Sequence, residues 1–283
     1  MAPCAGHRLS IALLMSGVTL LLARAGLGET VALSVSPPLV ELSMAQGGDR
    51  SFDITITNDG DRPFRAQAQM ADLVLNQAGD PVPRPAGSDK WSVAPWLTVD
   101  DKAIDLQPGE QKKVRCRLRV PRGQSGGRYG ALLFAAQRES ELASSGMRIE
   151  TRTGPVLMIT VARTERRKAE VADVKMSAAE GAEVLVTATL RNSGNAHFRA
   201  LGEVMIRDSA KRVVGRLKLD GGTGTVLPDG MRDFQAHWDA KRAAPGRYQA
   251  EARFRAAGLV TVNRAVEFTL PLATDGAVGK PSE

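Results

Sequence analysis

Histidine, cysteine and aromatic residues are scarce in this chain of 283 residues, with three histidines, two cysteines and 4% aromatics. The scarcity excludes much chemistry. There is no Cys-x-x-Cys, no His-Glu-x-x-His and no Gly-x-Ser-x-Gly, so neither a zinc site nor a nucleophile elbow can be assembled from spacing. Long apolar runs are also lacking, apart from Leu9 to Ala23. That run is shorter than the roughly 18 residues a bilayer-spanning helix needs. It follows Arg8 and ends in Ala23-Arg24-Ala25, the small-x-small pattern a signal peptidase reads. We expect residues 1–25 to be a signal peptide, with a cut after Gly28 as the alternative, and the mature chain to be periplasmic or otherwise extracytoplasmic. No cysteine stands at the cut to take a lipid, and the tail 273–283 is short and polar, so no membrane span is expected in the mature chain.

Removing the signal takes Cys4 with it and leaves Cys116 alone, so folding must rest on hydrophobic cores rather than on an internal disulfide. At 43% hydrophobic residues the chain can supply two such cores. Period-2 alternation dominates, as in Phe52, Ile54 and Ile56 against Asp53, Thr55 and Thr57, and no long segment keeps a 3.6-residue period. The expected class is all-β. Cys116 falls on the apolar face of Val114 to Val120 and reads as a small buried hydrophobe.

The chain also repeats itself. Asn58-Asp59-Gly60-Asp61-Arg62-Pro63-Phe64-Arg65-Ala66 returns as Asn192-Ser193-Gly194-Asn195-Ala196-His197-Phe198-Arg199-Ala200. Leu106-Gln107-Pro108-Gly109 followed by Gly127-Arg128-Tyr129 returns as Leu227-Pro228-Asp229-Gly230 followed by Gly246-Arg247-Tyr248. The first copy is roughly 15 residues longer, and Asp80 to Pro85 is the expected insertion. We therefore expect two tandem immunoglobulin-like β-sandwich domains, 30–163 and 171–272, joined by a charged linker, 164–170. Each copy should hold a turn whose glycine takes positive φ, a core Phe, and a Tyr closing the end of the core.

Little in the sequence points to catalysis. The mature chain has only His197 and His237, and the adjacent carboxylates Asp100-Asp101 and Asp59 with Asp61 read as turn residues, so no enzyme, cofactor or metal is expected. Gly221-Gly222-Thr223-Gly224 lacks the lysine and helix of a phosphate loop and reads as a hairpin. The net charge of +7 and the row Lys113, Arg115, Arg117 and Arg119 on one strand face suit an anionic envelope polymer or a partner's carboxylates, set against a plain solvated face; nucleic acid is not expected for an exported chain. Trp96, in Ala-Pro-Trp-Leu, reads as a core or domain-edge residue.

The first unit resembles the N-terminal domain of PapD-like periplasmic pilus chaperones. The resemblance runs through Ser34-Val35-Ser36-Pro37-Pro38-Leu39-Val40, Ile54 to Gly60, Leu106 to Glu110 with Val114-Arg115, and a late strand from Tyr129 to Gln137, a polar loop and a last strand from Met147 to Val161. A second resemblance, to surface proteins that interact with WxL proteins, shares the Trp96 to Gly109 segment and the Gly-Arg-Tyr strand. The chaperone resemblance implies a protein that binds another exported protein, such as a pilin-like or surface subunit, by strand addition along the last strand. It also implies an anchoring Arg in the opening strand, where this chain has Pro38 and Leu39, and a Lys in the last strand, where the nearest cation is Arg152. The expected partner-binding residues are Met147, Ile149 and Arg152, ahead of the break Gly154-Pro155. The alternative function is a soluble adhesin-like module that binds a cell-wall or surface polymer.

Overall fold

The structure, a computed structural model, describes residues 32–137 and 150–272. The first half contains β1 (Leu33–Ser36), β2 (Leu39–Met44), β3 (Asp49–Asn58), β4 (Phe64–Leu75), β5 (Pro81–Pro85), β6 (Leu97–Val99), β7 (Ala103–Leu106), β8 (Gln111–Arg119), β9 (Gly127–Gln137), β10 (Glu150–Thr153) and β11 (Val156–Val161). The second contains β12 (Ala169–Ala178), β13 (Glu183–Asn192), β14 (Phe198–Arg199), β15 (Leu201–Asp208), β16 (Val213–Leu219), β17 (Thr225–Val226), β18 (Met231–Asp239), β19 (Gly246–Arg255) and β20 (Val262–Leu270). Among the described residues the only helical piece is a single 3-10 turn, Ala94–Trp96. The protein is all-β and is built as two tandem sandwiches.

Alternation along each strand produces the layers. On β8, Val114, Cys116 and Leu118 are buried while Lys113, Arg115, Arg117 and Arg119 are exposed. The sheet β1-β3-β8-β6 closes over the sheet β2-β11-β9-β4-β5, and Ile54, Ile56, Leu106, Leu118, Leu132, Phe134, Leu157 and Ile159 fill the space between. β10 and β7 extend the second of these sheets by pairing with β9 and β4 respectively. In the second half β12-β13-β18 faces β16-β15-β19-β20 over Val186, Leu190, Val204, Ile206, Phe234 and Phe254. Trp238, Tyr248 and Phe268 stack edge to face and face to face at one end of that core.

The repeated asparagine explains itself in the fold. Asn58 is fully buried; its Oδ1 accepts from Gly60 N at 3.0 Å, and its Nδ2 donates to Arg62 O and Leu106 O. Asn192 does the same, with Oδ1 accepting from Gly194 N at 2.9 Å and Nδ2 donating to Ala196 O and Val226 O. The backbone carbonyls close the same circuit, since Asn58 O accepts from Gly109 N and Asn192 O from Asp229 N. These turns therefore differ from the glycine expectation. Positive φ falls on Gly109 (73°) and Asp229 (60°), not on Gly60 or Gly194, because the asparagine amide, rather than a left-handed glycine, shapes the first turn. Phe64 and Phe198 each begin the returning strand and are buried in their own cores.

Candidate partner-binding edge and the junction between the sandwiches

The last strand of the first sandwich is broken in two against β9. β10 pairs from Glu150↔Gln137 to Thr153↔Phe134, and β11 pairs from Val156↔Ala131 to Thr160↔Gly127. Between them the chain presses onto β9: a Cβ on Gly154 would lie 1.8 Å from Leu132 O, so only glycine fits there. The ladder resumes at Pro155, whose carbonyl accepts from Leu132 N at 3.1 Å. β2 runs parallel to β11 and covers its outer side from Leu39↔Val156 to Met44↔Val161. Before Leu39 the chain crosses at Pro37 and Pro38 to the other sheet, where β1 pairs with β3. β10 therefore hydrogen-bonds a strand on its β9 side alone among the described strands. Arg152, opposite Ala135 in the register, is exposed. Met147 and Ile149 lie outside the described residues.

The basic row on β8 faces solvent, but acids interleave it. Arg115 Nε meets Asp53 Oδ1 at 3.2 Å, Arg117 meets Asp100 at 3.3 Å, and Arg119 stands opposite Asp49 in the β3–β8 register. Two of the four cations are thus paired within their own sheet, which lowers the field the row can present. Cys116, on the opposite face, is fully buried; burial together with Asp100 and Asp53 pushes its thiol up to about 11.

The scarce histidine explains how the two halves meet. His197, from the second copy of the repeat, is buried against Tyr129 of the first sandwich, with ring centroids 5.5 Å apart and edge to face. His197 N donates to Tyr129 Oη at 2.8 Å, and the hydroxyl lies 3.3 Å from His197 Nδ1. The arrangement is satisfied when the hydroxyl donates to Nδ1 and Nε2–H donates to Glu41 Oε1, 2.9 Å away on β2. Arg199 adds a two-pronged contact to both oxygens of Glu41, at 3.2 and 2.8 Å. Hydrogen bonds from Arg199 hold the Glu41 carboxyl below its usual range against the opposing effect of burial. Burial holds His197 below the ordinary histidine value, against the pull of Glu41. Tyr129, expected to close its own core, instead packs with Leu73, Met158 and Leu227 in a small cluster shared by both halves.

The charged stretch 164–170 is stitched to the same turn. Asn195 exchanges backbone hydrogen bonds with Arg166 and Gly127, its amide reaches Arg166 N and Thr164 O, and Arg167 Nε donates to His197 O. Residues on either side of the expected insertion Asp80 to Pro85 make a second contact. Trp91 Nε1 donates to Asp229 Oδ2 at 2.8 Å, Lys90 pairs with the same oxygen at 2.7 Å, and Asp233 N donates to Gln77 O. The loop that carries Lys90 and Trp91 hangs on Asp72, a buried carboxylate that accepts from Gly87 N, Asp89 N, Ser88 Oγ and Ser92 Oγ. Burial alone would raise Asp72; these bonds outweigh it and hold the carboxyl low. In the sequence His197 was singled out with His237; Asn195, Arg199 and Asp229 carry no signal beyond their place in a repeat, and Glu41 carries none.

Among the described residues no group of three or more His, Cys, Asp or Glu could hold a metal ion, and no helix is long and apolar enough to cross a membrane. No family model matches the chain, and no curated protein matches it. Solved structures that are similar in fold include several fimbrial chaperones. The class 5 fimbriae chaperone CfaA is 9% identical, with a TM-score of 0.44, over 83% of this chain and 98% of that one. The YadV chaperone is 7% identical, with a TM-score of 0.40, over 83% and 99%. The SafB chaperone, solved with the Salmonella enterica SafA pilin, represents a match at 11% identity and a TM-score of 0.39, over 86% and 98%. Values this low do not carry residue roles across.

Proposed function

We propose that this chain is an exported PapD-like assembly factor that binds another exported protein, a pilus or surface-structure subunit, by strand addition along β10. The observation that supports the reading is the edge itself: β10 is bonded to β9 on one side, and the strand that covers β11 stops at Leu39, opposite Val156. An added strand would complete the ladder in line with β2. Each backbone hydrogen bond is worth about 0.5–1.5 kcal/mol net, so a four-residue edge gives modest affinity and side-chain contacts must supply the rest. Met147 and Ile149 are the apolar contributors in this proposal, and Arg152 is the charge-assisted donor to a partner's terminal carboxylate. The basic row Lys113 to Arg119 is the alternative surface, for an anionic polymer.

The test pairs Met147→Asp with Ile149→Asp and follows co-purification of the exported partner together with thermal stability. Lost capture at nearly unchanged stability supports the proposal. Unfolding of the first sandwich would show the segment to be core, and unchanged capture would place the partner elsewhere, with the β8 row next to be charged-reversed.

A further inference from the structure

We infer that the sheet containing β10 accepts an added strand on the β10 side and not along β5, where its opposite side is sealed against backbone pairing. The sequence of β5 is Pro81-Val82-Pro83-Arg84-Pro85, exposed throughout. At the hairpin that leads into it, Asn76 N donates to Asp80 O at 3.0 Å, so Asp80 faces β4. The register continues Val74↔Val82 and Asp72↔Arg84. By alternation Val82 and Arg84 turn their backbone groups to β4, and Pro81, Pro83 and Pro85 turn theirs outward. The outer side of β5 therefore has no N–H at all. The Pro85 carbonyl is itself occupied, accepting from Ser88 N.

β7 continues the same side as a strand of four residues with one outward carbonyl occupied. Ala68 N donates to Lys102 O at 2.8 Å, which sets Ile104 and Leu106 toward β4 and Ala103 and Asp105 outward. The outward Asp105 carbonyl is taken by Lys112 Nζ at 2.6 Å. The other side of the sheet is the opposite in character. Val156 N donates to Pro38 O and Ala162 N to Met44 O, so the even-numbered residues of β2 face β11. Leu39, Glu41 and Ser43 then turn both N–H and C=O outward, one strand further out than β10.

A sheet with two open edges can chain into a polymer, whereas one with a single open edge stops after one added strand. The first sandwich is thus built to hold one extended segment in a one-to-one complex. The proposed strand addition enters only as the occupant of the open side; the sealing of β5 is a property of the chain alone and is measured without a partner. In Pro83→Ala the new amide at position 83 should exchange with solvent at a loop-like rate, at least tenfold faster than the amides of Val82 and Arg84. The variant Pro81→Thr with Pro83→Ala and Pro85→Thr should show concentration-dependent self-association in sedimentation that the unsubstituted chain lacks. Protection of the position-83 amide equal to that of Val82 would overturn the inference, as would a triple variant that sediments like the unsubstituted chain. If the triple variant does not fold, the exchange rate in the single variant decides.

Discussion

Tyr129→Phe tests the junction most cleanly, because it removes one oxygen and leaves the ring. Tyr129 is 1% exposed, and its hydroxyl accepts from His197 N at 2.8 Å and lies 3.3 Å from His197 Nδ1. Losing it deletes two hydrogen bonds, about 0.5–1.5 kcal/mol each, and strands a buried N–H whose desolvation costs about 1–3 kcal/mol. A destabilisation of about 2–4 kcal/mol is expected, directed at the seam rather than at either core, since Ile54 to Ile159 on one side and Val186 to Phe254 on the other stay packed. Urea unfolding followed by tryptophan fluorescence should show a lower midpoint and, where the sandwiches uncouple, two transitions in place of one. Hydrogen exchange should show the His197 amide losing protection. A change below about 0.5 kcal/mol with the His197 amide still protected would refute the reasoning, because the hydroxyl would then be spending nothing on the junction.

Other consequences follow from the same contacts. The folded protein holds His197 below its ordinary value, so it binds fewer protons there than the unfolded chain; the junction's stability is complete above about pH 6.5 and falls as pH drops below it. Urea midpoints between pH 7.5 and 5 should decrease, and a midpoint that rises on acidification would contradict this. Asp72→Ala leaves four donors without their acceptor and should cost about 3 kcal/mol or more, with exchange of the Gly87 and Asp89 amides accelerated in the folded state. Gly79→Val places a Cβ 2.1 Å from the Arg232 guanidinium at a φ of +90°, so the β4–β5 turn should lift off β18 and protease cleavage near Asn76 to Asp80 should increase. Unchanged proteolysis would show that this turn does not brace the second sandwich.

How much of this was legible in the sequence depends on the range of the interaction. The alternation of β8 and the paired Asn-x-Gly turns are local, and they give the strands and the two-sandwich architecture directly. The turn glycines misled because a motif shows which residues are present and not which group bends the chain; the buried asparagine amides do that at Gly60 and Gly194. Tyr129 was expected in its own core for a similar reason. Its copy, Tyr248, packs there against Trp238 and donates to Ala244 O, but Tyr129 starts a strand whose neighbour across the seam is His197. Two equal motifs diverge because only one of them meets the other sandwich. The insertion Asp80 to Pro85 was visible as extra length, whereas the sealing of an edge by its prolines depends on register, and the contact of Lys90 and Trp91 with Asp229 joins residues more than a hundred positions apart. Of the residues expected to bind a partner, Arg152 is an exposed residue of β10, and Met147 and Ile149 fall outside the described residues.

The most direct measurement is hydrogen exchange on the full mature chain, free and bound to the exported subunit that co-purifies with it. Strand addition predicts strong new protection at the outward-facing amides of Glu150 and Arg152, those of Thr151 and Thr153 being directed at β9 already, with β5 and the β8 row unchanged. Protection confined to Lys113 to Arg119, to β5 or to the second sandwich, with Glu150 to Thr153 exchanging as in the free protein, would contradict it.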